Sequence, residues 1–238
     1  MDVTVVIPAY NEARRLPATL QQWLAFFAAQ PYAAELLVVD DGSTDQTASV
    51  VRALAARHPP IRLLPLPANQ GKGAAVRAGM LAAAGAHVFY ADADLNVAPT
   101  HLPAFLALLD GGYDVVIGTR STRQYAATER SAARVLAGLL VQVVRRAVLL
   151  PVYRDTQCGF KAFTRDAARA IFRRCTITSF AFDLEVLFLA RKLGYRVREV
   201  PVAVERREGS TYSLRRHLLP FLRDVLRIRW HDLQGRYG

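Results

Sequence analysis

The chain has 238 residues, 52% hydrophobic and 21% charged, which excludes a disordered chain and predicts one domain with a modest extension. Its two cysteines, Cys158 and Cys175, exclude a disulfide scaffold and read as reduced thiols of a cytoplasmic protein. Lysine and arginine number 31 against 20 acidic residues; the net charge of +11 predicts an anionic partner such as phosphate groups, an anionic membrane surface or nucleic acid.

The opening MDVTVVIPAYNE has neither a basic region nor a long apolar run, so no signal peptide is expected. No uninterrupted apolar stretch reaches the ~20 residues of a transmembrane helix. The nearest approach, residues 135–144, is closed by Arg134, Arg145 and Arg146. Residues 3–7 form a β-branched run that reads as a buried strand. Residues 12–29 have helical spacing, with Leu16, Leu20, Trp23, Leu24 and Phe27 on one side. A second strand, 36–39, ends in Asp40-Asp41-Gly42, and Ser43 or Thr44 can cap a helix running to about Arg57. A third strand is expected at 61–66. The loop Asn69-Gln70-Gly71-Lys72-Gly73 then leads into an alanine-rich helix, 74–84. A fourth strand, 87–91, ends in Asp92-Ala93-Asp94; residues 99–109 are helical; a fifth strand, 115–118, ends at Thr119-Arg120.

This alternation predicts an α/β fold with a mostly parallel central sheet and helices on both faces. Its polar residues follow the strands, on the edge where such sheets bind ligands. Beyond residue 125 the alternation fades. Long helices are expected at 131–150 and 181–193, a strand at 197–204, and a basic amphipathic helix at 214–230. The domain expectation is a catalytic unit over 1–212, with 131–150 a membrane-interface helix, and a C-terminal basic amphipathic helix over 213–238.

Asp92 and Asp94, flanking a small residue at a strand end, can both reach a divalent cation; hard carboxylate oxygens suit Mg²⁺ or Mn²⁺. The same triplet can also be a turn or helix cap. Asp40 is placed to accept from a base or ribose, and Asp41 and Ser43 read as turn formers. Glycines before a helix can let backbone N–H groups approach an anion, with Lys72 adding charge; a mobile surface loop is the bland alternative. Asp183 opens an apolar helix, a position where a carboxylate is favoured by the dipole alone. The five histidines are scattered, and a histidine-based triad has no support.

Together these motifs resemble the family 2 glycosyltransferases. Within them the chain is similar to the polyprenyl-phosphate hexosyltransferases, the dolichyl-phosphate β-glucosyltransferase and mannose synthase group. VIPAYNE (6–12), VDDGSTD (39–45), NQGKGAAVRAG (69–79), ADAD (91–94) and VIGTR (116–120) occur in family order. DTQCGFK (155–161) followed by FDLE (182–185) looks more like the glucosyltransferase branch.

The resemblance implies a nucleotide-sugar-binding fold of the GT-A type and inverting, metal-dependent transfer of a hexose. The donor would be a nucleotide-diphosphate sugar (UDP- or GDP-hexose) and the acceptor a polyprenyl phosphate. It implies Pro8, Tyr10, Glu12, Val38 and Asp40 around the base and ribose, and Lys72, Gly73, Ala93 and Arg206 toward the donor. Asp92 and Asp94 would be the metal ligands, and Arg120 and Arg130 would lie at the acceptor phosphate. Asp94, Arg120 and Asp183 are the catalytic candidates. One departure is Gly209-Ser210-Thr211, where the family carries Gly-Ser-Lys; some relatives also carry membrane spans, and none is expected here.

An ionised lipid phosphate needs no strong general base, because its second pKa is near ~6. A sugar hydroxyl acceptor, the alternative, requires one, and Asp183 is then the candidate. Peripheral binding to the cytoplasmic face of an anionic membrane is expected through 131–150 and 214–230, with packing of both stripes on the catalytic domain or on a second copy as the alternative. A nucleic-acid-binding protein is the remote rival, since carboxylate pairs repel phosphate, and a nucleotidyltransferase lacks its Gly-rich N-terminal loop here.

Overall fold

The structure is a computed structural model that describes residues 1–120, 153–204 and 214–238. The helix expected at 131–150, Arg130, Arg206 and the Gly209-Ser210-Thr211 stretch lie outside the described residues.

Seven strands form one sheet in the order β3-β2-β1-β4-β6-β5-β7. They are β1 (Val3–Ala9), β2 (Ala34–Asp40), β3 (Ile61–Pro65), β4 (His87–Ala91), β5 (Val115–Arg120), β6 (Phe160–Thr164) and β7 (Val197–Val202). β6 pairs antiparallel with both β4 and β5, and every other pairing is parallel. The carboxyl ends of β1, β2, β4, β5 and β7 therefore share one edge with the amino end of β6.

The helices are α1 (Leu16–Ala28), α2 (Thr47–Ala55), α3 (Lys72–Ala82), α4 (Leu102–Asp110, after a 3₁₀ turn at Pro99–His101), α5 (Arg165–Arg174), α6 (Phe182–Lys192) and α7 (Leu214–Leu233). Alternate residues of the sheet feed two apolar layers, as the two-residue period of a strand requires. Val6, Leu37, Val39, Val88 and Tyr90 face α3, α5, α6 and α7. Val5, Ile7, Leu36, Val38 and Phe89 face α1, α2 and α4. Strands buried on both faces read as continuous β-branched runs, which is why β1 and β2 stand out in the sequence.

Three local expectations need correction. Ser43 and Thr44 do not cap α2, which starts at Thr47 behind Gln46 with no side-chain cap; both are drawn instead to Asn11. The helix after the glycine loop starts at Lys72, two residues early. β6 and α5 were not anticipated. β6 is five residues with a lysine in the middle, and α5 shows its buried Ala167, Ala168, Ile171 and Phe172 only once Thr164 is seen accepting from the Ala167 N–H as its cap.

α7 packs Val225 and Ile228 into the same apolar layer as α6, and buried Tyr237 beyond it joins them. Its other face leaves Leu226, Trp230 and Leu233 exposed, at helical spacing. No helix among the described residues is long and apolar enough to cross a membrane.

Candidate active site

The loops that leave β1 and β2 are tied together at the shared edge. Asn11, in the left-handed region with φ of 56°, accepts at Oδ1 from the backbone N–H groups of Thr44 (2.9 Å) and Asp45 (3.2 Å). Its own N–H donates to Ser43 Oγ at 3.0 Å. Asparagine tolerates this backbone better than most side chains. Pro8 is half-buried near the end of β1, and Tyr10 is exposed just beyond it. Glu12 follows, its carboxylate held by both the Nε and the Nη2 of Arg15 at 2.8 Å.

Asp40 is nearly buried at the end of β2, and its Oδ1 accepts from the Ser43 N–H at 3.1 Å. Asp41 takes the Gln70 and Gly71 N–H groups, one on each oxygen at 2.9 Å, and so fastens the next loop. Two residues named by the resemblance have buried side chains. Val38 is wholly buried in the core, so its side chain cannot line a base pocket. Ala93 is also buried, and its carbonyl is occupied by the Thr19 hydroxyl at 2.6 Å.

Three N–H groups of the glycine loop are already engaged within the protein. The Gln70 and Gly71 N–H groups go to Asp41, and the Gly73 N–H donates to the Thr178 carbonyl at 2.8 Å. Its glycines serve close packing. A Cβ on Gly71 would sit 2.6 Å from Thr178 O, and one on Gly73 2.5 Å from Ile177 O. What the loop sends to the edge is Lys72, whose Nζ lies 2.6 Å from Asp92 Oδ1 and near the rings of Phe180 and Phe182. Burial pulls the Lys72 ammonium down, but the carboxylates of Asp92, Asp183 and Asp94 outweigh it and hold its pKa above the ordinary lysine value.

Asp92 and Asp94 stand at the carboxyl end of β4, both partly accessible. Gly159, just before β6, leaves space for Asp92: a Cβ there would fall 2.0 Å from Asp92 Oδ2. Asp94 accepts from Asn96, and burial followed by the Asp92 charge raises its pKa. Asp94, whose charge is disfavoured beside Asp92, and Asp92, already beside a cation, are a donor set that suits a hard divalent ion. Among the described residues no third acidic, histidine or cysteine side chain completes a cluster. That fits Mg²⁺-type binding, in which one or two carboxylates share the ion with water and phosphate oxygens.

The remaining candidates are occupied. Arg120, at the end of β5, forks onto Asp155, with Nε at 2.6 Å and Nη2 at 2.9 Å, and its N–H adds a bond at 3.1 Å. Burial pushes Asp155 up, yet the Arg120 hydrogen bonds and charge prevail and lower its pKa. Arg120 thus anchors the 155–159 segment, which the resemblance did not suggest. Asp183 is buried at the start of α6, with Lys161 Nζ at 2.5 Å and the Tyr90 hydroxyl on the same oxygen. Lys161, itself fully buried in β6, also donates to the Cys158 carbonyl at 2.6 Å. Asp183 is therefore the buried counter-ion of Lys161, with both contacts on Oδ1. Burial moves the Cys158 thiol up to about 11, which removes it as a nucleophile.

Lys161, Tyr90, Asp155 and Gly159 carry the site's support and were not singled out as site residues. One signal was available: a lysine in the apolar run FKAF and an aspartate in the apolar helix FDLEVLFL are opposite charges that each need a buried partner.

A mixed sheet with two aspartates after its central strand, a lysine facing them and loops tied across the same edge defines a nucleotide-sugar transferase of the GT-A type. The comparisons agree. Residues 4–173 match the family described as Glycosyl transferase family 2. The dolichyl-phosphate beta-glucosyltransferase of Drosophila melanogaster is 36% identical over 100% of this chain and 77% of its own. The Dictyostelium discoideum enzyme of that name is 33% identical over 98% and 75%. Among solved structures, glucosyl-3-phosphoglycerate synthase from Mycobacterium tuberculosis with UDP superimposes with a TM-score of 0.69 at 21% identity, covering 100% of this chain and 80% of that one. Mannosyl-3-phosphoglycerate synthase from Rubrobacter xylanophilus gives 0.66 at 21% identity, covering 99% and 75%. The chain belongs to glycosyl transferase family 2.

Proposed function

We propose that this protein transfers a hexose, with inversion, from a nucleotide-diphosphate sugar to a polyprenyl phosphate of the dolichyl type. The names of its near-full-length relatives support glucose and a dolichyl-phosphate acceptor. Structural neighbours crystallised with UDP and Mn²⁺ support a uridine donor and a divalent ion.

The observation that carries the acceptor choice is the burial of Asp183 under Lys161 and Tyr90. A sugar hydroxyl would require a carboxylate base at the attacking oxygen, and the candidate base is nearly buried and ion-paired to Lys161. A phosphate oxygen is already ionised near neutral pH. It attacks the anomeric carbon from the face opposite the leaving group. The bond from that carbon to the diphosphate breaks, and the nucleoside diphosphate leaves with the electron pair. A divalent ion on Asp92 and Asp94, when bound, supplies Lewis-acid stabilisation of that charge. Lys72 would add a cation on the same side, and Asp40, Tyr10 and Glu12 would meet the base and ribose.

The test offers UDP-glucose and GDP-mannose with Mn²⁺ to extracted polyprenyl phosphate and to a panel of free sugars. Transfer to the lipid phosphate with release of UDP is expected. Transfer confined to a sugar hydroxyl would overturn the acceptor.

The lipid tail has to stay in a bilayer while its phosphate reaches the site, and α7 supports peripheral binding. Leu226, Trp230 and Leu233 form an exposed apolar stripe beside exposed Arg223, Arg227 and Arg229. A nucleotide-sugar donor and reduced thiols favour the cytoplasmic face. Flotation with anionic vesicles should weaken with salt and fall in a Leu226→Gln, Trp230→Gln variant. A concentration-dependent dimer without flotation would mean the stripe meets a second copy instead.

A further inference from the structure

The segment between α5 and α6, residues 175–181, is gripped from opposite sides. On one side it carries the Lys72 loop. Thr178 O accepts the Gly73 N–H at 2.8 Å, and the backbones approach so closely that neither Gly71 nor Gly73 has room for a Cβ. On the other side it is held by the C-terminal region. Asp224 of α7 accepts from Ser179 Oγ at 2.6 Å, and His231 of α7 meets Thr176 Oγ1 at 3.0 Å. Glu185, fully buried on α6, accepts the Thr176 N–H on both oxygens at 2.9 Å and the Ile177 N–H at 2.8 Å. The buried Tyr237 hydroxyl completes that carboxylate at 2.6 Å.

Val225 and Ile228 already attach α7 through apolar contacts, so attachment alone does not call for buried polar groups. Those groups cost desolvation, and what they add is a single geometry, since directional bonds resist the small slips that apolar packing allows. They converge on a segment whose backbone supports Lys72.

We propose that Asp224 directly and Tyr237 through Glu185 are positioning residues for the nucleotide-sugar donor, acting through residues 176–179 and Gly73 on Lys72. The inference rests on the reading of Lys72 as a cation for the donor diphosphate. It makes α7, whose outer face carries the exposed apolar stripe, mechanically continuous with the donor loop.

The test measures UDP binding by calorimetry in Mn²⁺ on the full chain, in Asp224→Asn and Tyr237→Phe, each made alone and with Lys72→Met. Both single variants should weaken UDP about fivefold, the effect of one hydrogen bond's geometry. In the Lys72→Met background the further loss should vanish, since interacting residues are not additive. Val225→Ala loosens the same helix from its apolar side and should lower the melting temperature without changing UDP affinity. Full additivity with Lys72→Met, or an equal affinity loss in Val225→Ala, would overturn the positioning role while leaving Lys72 in place. If Lys72→Met alone leaves UDP binding unchanged, both the Lys72 reading and the inference fall.

Discussion

Asp92 with Asp94 and Asp183 with Glu185 are two acidic pairs with the same spacing, and the fold treats them in opposite ways. The first pair follows a strand, stays partly accessible and has few partners: Lys72 for Asp92 and Asn96 for Asp94. The second pair lies in the first turn of a helix and is buried, Asp183 with Lys161 and Tyr90 on one oxygen and Glu185 with both oxygens taken by Thr176, Ile177 and Tyr237. A carboxylate with spare acceptor capacity at a strand end can take a ligand. One that is buried and already engaged inside the protein holds the frame.

The sharpest way to break that comparison is at the first pair. Asp94→Asn should cut transfer by about 1,000-fold, the several kcal/mol that a lost metal contact costs in the transition state. Its folding stability should stay within about 1 kcal/mol of the parent, since neither burial nor Asp92 favours the charge being removed. Steady-state rates and urea melts on one preparation read both; a large loss of stability would put Asp94 with the structural pair.

Asp183→Asn should do the reverse. Leaving Lys161 charged and buried without its partner costs about 3–5 kcal/mol, visible as a lower urea midpoint. Replacing both partners, Lys161→Met with Asp183→Leu, should recover part of that loss. A fully stable Asp183→Asn protein with no activity would restore Asp183 as a catalytic candidate.

The half-buried pair of Arg120 and Asp155 falls between these extremes. Asp155→Asn should lose about 2 kcal/mol at neutral pH, typical of hydrogen bonds to a charged group. The folded pKa of Asp155 lies below its unfolded value, so its contribution is present above about 3.9 and lost as pH falls through the folded value. Acid melts of the parent should therefore be steeper than those of Asp155→Asn below pH ~4.

The parallel half of the sheet was legible because its residues report their own environment. Val3 to Ala9 and Ala34 to Asp40 are apolar runs ended by polar turns, and Asp92 and Asp94 directly follow such a run. Site geometry follows when a functional residue is the next one along the chain. β6 and the Lys161–Asp183 pair were not legible in this way, because the partners are 22 residues apart and only the antiparallel insertion of β6 between β4 and β5 brings them together. The glycine loop gave an incomplete signal for the same reason. Gly71 and Gly73 satisfy the sequence rule for an anion cradle, and only the approach of Thr178 from a distant segment shows that their freedom from a Cβ is spent on packing.

By itself the sequence determined the class of fold, the edge on which the polar residues gather and the pair of aspartates proposed as metal ligands, because strand periodicity and strand-end chemistry are local properties. Only the tertiary structure decided which carboxylates keep room for a ligand. Asp94 stays partly accessible and Asp183 is nearly buried, although each belongs to a short acidic motif. The tertiary structure also decided that Arg120 is committed to Asp155, and that Tyr237 reaches the segment beneath Lys72. Burial and pairing depend on what long-range packing brings alongside a residue, and composition, periodicity and spacing do not encode which neighbour that will be.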